Sequence, residues 1–190
     1  MNLIIRNILI FSSICFFAFS CNKTKKEEYI TTDNYLIVNN ADRKDKNSLI
    51  GKQLMKTESL GELKLGLVIE EVNELIGKNE EKTVSEYFGH AGTYHEWKYT
   101  KKGILLTFVN ELDSIPILSR IEISEPCKLK TKKNIGIGSR IENVQIAYNN
   151  KVDTTKSDAK AIMAGTVLGG IIFKFENKKV KTIIIGPIAE

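Results

Sequence analysis

Few side chains in this sequence are of the kinds that hold metals or act as nucleophiles, and they are thinly spread. Both histidines, His90 and His95, fall in one segment with Tyr87, Phe88, Tyr94, Glu96, Trp97 and Tyr99. A metal site there would use His90 and His95 with Glu96 or a distant carboxylate. The stretch through Ala91 and Gly92 permits that geometry, but no third ligand is marked by spacing. A thiol nucleophile would be Cys127 with one of these histidines as its base, and Lys128 and Lys130 are the only local support for its thiolate. Gly136-x-Gly138 lacks the full glycine-rich loop and the lysine of a phosphate cradle. No Gly-x-Ser-x-Gly is present, and the carboxylates show no pairing that assigns acid and base roles. An enzyme or metal-binding reading therefore rests on His90, His95 and Cys127. The plainer reading is a polar loop entering a strand, with no catalytic residue, no metal and no cofactor.

The aromatic residues of the same segment offer a different chemistry, because exposed Tyr and Trp anchor protein contacts. On a strand, Trp97 and Tyr99 share one face and leave Glu96 and Lys98 on the other. That aromatic face is more often core than contact surface. Tyr87, Phe88 and Tyr94, closer to the loop, are better placed for an interface.

The elements that must position these residues come in two copies. The stretch Leu65 to Lys78 returns in altered form at Ile137 to Lys151, with Gly66 meeting Gly138 at a shift of 72. Gly103 to Phe108 meets Gly170 to Phe175 at a shift of 67, and Ile121 to Ile123 meets Ile183 to Ile185 at 62. The falling shift shortens the connections of the second copy. In that copy Ser139 and Glu142 have the spacing of a capping box, with Ile141, Val144 and Tyr148 on one helix face. In the first, Leu67 stands at the cap position, Ile69, Val72, Leu75 and Ile76 form the apolar stripe, and Gly77 closes the helix. Strands are expected over Tyr94 to Tyr99, Ile104 to Val109 and Leu118 to Ser124. In the second copy they are expected over Ile162 to Leu168, Ile171 to Glu176 and Val180 to Ile185, with turns at Gly169-Gly170 and Asn177-Lys178-Lys179. Runs such as Ile183-Ile184-Ile185 need cover on both faces of a sheet. The expected fold class is α+β, two copies of a short helix followed by antiparallel strands with helices packed on sheet, the copies sharing one sheet or lying as two lobes. The units run over 63–126 and 127–190.

Upstream, residues 1–20 carry Arg6 and then an apolar run from Ile8 to Phe19, the layout of a secretory signal too short to span a bilayer. Ala18-Phe19-Ser20-Cys21 resembles a bacterial lipobox, with Ala18 where Leu is commonest and a bulky Phe19. The resemblance implies diacylglyceryl transfer to Cys21, cleavage before it, and acylation of the new amino terminus. Each buried methylene of such an anchor contributes about 0.8 kcal/mol. Residues 21–34 then read as a polar tether. Residues 35–62 read as an N-terminal extension with a short strand at Tyr35 to Val38 and a strand or single helical turn around Leu49, Ile50, Leu54 and Met55. Asn22 after the cysteine favours the outer membrane, facing the periplasm. With Cys15 lost and Cys21 acylated, Cys127 stands without a disulfide partner. A hydrophobic share of 42% against 27% charged is a globular balance. The net charge of +5 comes from cations spread along the chain, which suits solubility or loose attraction to lipid headgroups and gives no nucleic-acid patch.

The Leu65-Gly66 lead-in, Trp97-Lys98-Tyr99, Gly103 to Phe108 and Ile121 to Ile123 together resemble the small lipoproteins of the β-barrel assembly machinery. They are also similar to the tandem-repeat β-lactamase inhibitor proteins. The likeness covers about two thirds of the chain through core and turn residues. It implies a non-catalytic protein that binds another protein or scaffolds an envelope assembly, its partner unnamed by the sequence. An inhibitor or immunity-type protein would differ only in its target.

Overall fold

The computed structural model describes residues 46–86, 92–111 and 114–187. A helix over 46–57 (α1) precedes α2, Ile69–Ile76, and four strands: β1 Glu81–Glu86, β2 Gly92–Tyr99, β3 Ile104–Glu111 and β4 Ile117–Ser124. The second half repeats the theme with α3, Ile141–Tyr148, then β5 Ala161–Thr166, β6 Gly169–Glu176 and β7 Lys179–Ile185. All seven strands form one antiparallel sheet in the order β1-β2-β3-β4-β7-β6-β5. The two copies therefore share a sheet, joined where β4 pairs with β7 through Ile121↔Ile185 and Ile123↔Ile183.

Equivalent residues of the two copies make equivalent bonds. The Gly66 N–H donates to the Leu118 carbonyl and the Leu118 N–H returns to Leu67, both at 2.8 Å; Gly138, Val180 and Ser139 do the same, also at 2.8 Å. Gly66 and Gly138 take φ of +89° and +83°. A Cβ at either position would meet nothing within 4 Å, so backbone conformation rather than space asks for glycine. The strand pairs match as well. Register slips by one residue between Thr107 and Phe108 against β4, and between Lys174 and Phe175 against β7. The extra residue is Ser119 in one copy and Lys181 in the other, and the Ser119 hydroxyl donates to the Thr107 carbonyl at 3.0 Å.

One sheet face carries the core. Trp97, Tyr99, Leu106, Phe108, Ile121 and Ile123 continue across the β4–β7 seam into Ile183, Ile185, Ile171 and Phe173. The helices close this layer: Leu54 from α1, Val72 from α2, and Val144 and Tyr148 from α3 are all buried in it. The Tyr148 and Phe173 rings meet at 5.0 Å. Of the expected α2 stripe, Ile69 and Ile76 pack against the core while Leu75 stays 39% exposed.

Four local expectations need correction. The extension around Leu49 to Met55 is a helix of three turns rather than a strand or single turn. Its docking also corrects the hairpin of the second copy, which turns at Val167-Leu168 with Gly169 and Gly170 inside β6. Gly169 and Gly165 serve the helix: a Cβ on Gly169 would strike Met55, and one on Gly165 would lie 2.6 Å from the Gly51 Cα. α1 and the hairpin thus approach backbone to backbone. Only the return half of a capping box forms, and it falls in the other copy. The α2 cap is Val68, whose N–H donates to Glu71 at 2.9 Å, whereas α3 is capped by Arg140 and Ser139 instead accepts from the Gly136 N–H at 3.0 Å. Strand β1 was not foreseen. The Asn177-Lys178 turn is as expected, with φ of 51° and 59° as a tight hairpin requires. The stretch Tyr35 to Val38 lies outside the described residues, as do residues 1–34.

The two sheet edges differ. β5 is sealed along its outer side: the Asp153 N–H donates to the Met163 carbonyl at 2.7 Å, the Met163 N–H to the Ser157 hydroxyl at 3.0 Å, and the Ala161 N–H to the Asp158 carboxylate at 2.8 Å. Among the described residues no strand pairs with the outer side of β1, and residues 81–85 are exposed.

Candidate functional site

Among the described residues, the chemical candidates His95 and Cys127 each have a structural setting. His95 points to the helix-covered face at the end of β2, opposite Phe108. Thr93 donates its hydroxyl proton to Asn110 Oδ1, and His95 Nε2 lies 3.0 Å from Thr93 Oγ1 and 3.3 Å from Asn110 Oδ1. With the Thr93 proton committed to Asn110, His95 acts as donor through Nε2–H, which leaves Nδ1 buried and bare among the described residues. This group ties β2 to β3. His90 lies outside the described residues, and among the described residues no group of three or more His, Cys, Asp or Glu could hold a metal ion. Cys127 is buried in the core, and burial pushes its thiol above the ordinary value. The opposing pull comes from the backbone N–H groups of Leu129 and Lys128, not from the Lys128 and Lys130 ammonium groups. A thiol so placed stays protonated at neutral pH.

The aromatic candidates divide by face. Trp97 and Tyr99 are 5% and 1% exposed, so the contact reading is corrected for both: the face they share is the one the helices cover. Trp97 packs on Phe108 at 5.0 Å, and the Lys82 ammonium sits 5.7 Å above its ring. Tyr94 falls on the opposite face and is half-buried. Tyr87 and Phe88, in the β1–β2 connection, lie outside the described residues.

That opposite face, which no described helix covers, carries the surface the sequence reading missed. In one cross-strand row Tyr94 pairs with Val109, and Val109 with Ile117. Ile117 is 47% exposed and Ile115, just before β4, is 67% exposed. The second copy is the control. The pair equivalent to Val109↔Ile117 is Glu176↔Lys179, one position past the same register slip, and both its residues are exposed and charged. A charged pair is what a solvated strand end takes; the first copy has an apolar pair at the same place, half-buried Val109 beside exposed Ile117. Beyond the patch this face carries the 2.7 Å ion pair of Arg120 and Glu122, both half-buried, and then Ile184 and Ile172, which are buried.

No protein-family model, curated protein or solved structure matches this chain. Among the described residues no helix is long and apolar enough to cross a membrane.

Proposed function

We propose that this chain is a lipid-anchored protein of the bacterial cell envelope that works without catalysis, holding another protein against the open sheet face of its first unit. Cys21, in its lipobox-like setting, supplies the anchor. The outer membrane, facing the periplasm, is the location this reading favours, and residues 21–34 give the domain its reach. The observation that carries the binding role is the contrast between the two copies: Val109 and Ile117 stand where the second copy has Glu176 and Lys179. Tyr94 and Ile115 extend that surface. The partner surface is apolar at its centre. The buried, protonated Cys127 and the structural bonding of His95 weigh against an enzyme built on them.

The test is a crosslinked pull-down from detergent-solubilised envelopes, comparing wild type with the Val109→Glu/Ile117→Lys variant, which writes the second copy's pair into the first. Loss of a specific partner from the variant is expected; an unchanged partner set would remove the patch from consideration. Mass spectrometry of the native protein and of Cys21→Ala checks the anchor. The absence of acyl mass on Cys21 would end the lipoprotein reading.

A further inference from the structure

Which backbone groups of β1 face outward follows from the bonding of its neighbours. The Ser124 N–H donates to the Gly103 carbonyl at 2.9 Å, so two residues on Leu105 bonds to β4, and Ile104 and Leu106 bond to β2. Carried through Leu106↔Trp97 and Glu96↔Thr83, the alternation commits Glu81, Thr83 and Ser85 to β2. The Glu80 N–H agrees, donating to the Lys98 carbonyl at 3.0 Å. The N–H and C=O groups of Lys82, Val84 and Glu86 therefore point away from the sheet, and among the described residues no strand takes them. Val84 is 53% exposed, and the strand has no proline and no register slip to turn a neighbour away. Its guard is Lys82, a cation that penalises any incoming strand without a carboxylate opposite it.

We propose that this edge pairs with the same edge of a second copy, antiparallel and centred on Val84. The strand's own sequence selects both the partner and the register. About a two-fold axis at Val84, Val84 meets Val84 and Lys82 meets Glu86 at both ends of the ribbon. These are the residues whose backbone groups point outward, so each pair exchanges both of its N–H···O bonds. Opposite charges directly across a ladder stabilise it. Neighbouring registers lose this match. Centring on Lys82 or on Glu86 sets like charges face to face, and centring on Thr83 sets Glu80 against Glu86. Centring on Ser85 sets Val84 against Glu86 and carries Lys82 past the end of the partner strand. An apolar strand from another protein would leave Lys82 without a counter-charge. The pairing uses neither the lipid anchor nor the Val109 and Ile117 patch.

Sedimentation velocity of the purified full-length chain in density-matched detergent, over a range of concentrations, should show a reversible monomer–dimer equilibrium. A zero-length carbodiimide should then join Lys82 of one copy to Glu86 of another. Within one strand these residues lie about 13 Å apart, too far for such a bond, so the crosslinked peptide reports only the dimer. Lys82→Glu and Glu86→Lys should each weaken the dimer about tenfold, because each alone sets like charges opposite at both ends. An equimolar mixture of the two variants restores opposite charge at every position and should form dimers containing one of each, which also shows that both variants fold. The Val109→Glu/Ile117→Lys variant should dimerise as wild type does, so this pairing and the binding patch fail separately. A chain that stays monomeric at millimolar concentration, a dimer indifferent to both reversals, or a Lys82 crosslink in native envelopes to a different protein would overturn the pairing.

Discussion

Tyr99 shows how a single buried group sets a property of the whole protein. Its ring is in the core, its hydroxyl has no hydrogen-bond partner among the described residues, and burial pushes its pKa from 10.0 up to about 12. The unfolded phenol ionises first as pH rises. Stability supplied by the neutral phenol is therefore complete below pH 10 and is lost as pH climbs towards 12, with an upper bound of roughly 3 kcal/mol. Tyr148 adds to the same trend, pushed up by burial and by the nearby Glu58 carboxylate against the pull of Thr131. The melting temperature of wild type should thus fall between pH 10 and 12 more steeply than that of Tyr99→Phe; parallel curves would show that the phenol does not titrate with unfolding. Cys127 makes a second prediction at this scale. Its buried, protonated thiol should take up iodoacetamide slowly in native protein at neutral pH and rapidly in guanidinium, followed by mass; fast native labelling would return it to the list of reactive groups.

At the scale of elements, the tightest joint is α1 against the β5–β6 hairpin. A methyl group on Gly51 would collide with the Gly169 backbone, which a strand cannot move aside cheaply. Gly51→Ala should cost about 1–3 kcal/mol in a urea melt, whereas Ile117→Lys, at a half-open position, should change stability by no more than about 0.5 kcal/mol. The same elements show what a sequence can and cannot reveal. The core strands were legible because apolar residues alternate along them, and the repeat was legible because glycines and isoleucines recur in step. β1 was not, since its sequence, EKTVSE, has one apolar residue and the strand forms by pairing with β2 rather than by burial. The glycine turn was misplaced because glycine serves close approach as readily as tight turning. The patch was hidden by the bulge. Ile117, Ser119, Ile121 and Ile123 alternate perfectly, so simple parity puts all four on the core face. The extra residue at Ser119 reverses that parity, sending Leu118 inward at 1% exposure and Ile117 outward at 47%. Comparing the copies position by position, Val109 with Glu176 and Ile117 with Lys179, was the signal that could have found it.

At the scale of the molecule, the two units share a core that runs unbroken through the β4–β7 seam, so neither has a layer of its own to fall back on. Unfolding should be a single transition. Trp97, the only tryptophan, reports on the first unit, and Tyr148 on Phe173 reports on the second; their urea curves should coincide with each other and with far-ultraviolet circular dichroism. Separated curves would mean two independent lobes. Phe173→Ala, at the centre of the second unit, should accordingly lower the Trp97 midpoint in the first, by about 3–5 kcal/mol of total stability.

The unequal edges set a ceiling on growth. A sheet with two open sides can add copies at both ends without limit and become a fibre. Here the side chains and backbone of residues 153–158 already bond the outer groups of Ala161 and Met163 in β5, so among the described residues β1 is the edge left to accept a neighbour. Two molecules that met there would use up each other's last free side, and assembly by strand addition would stop at a pair.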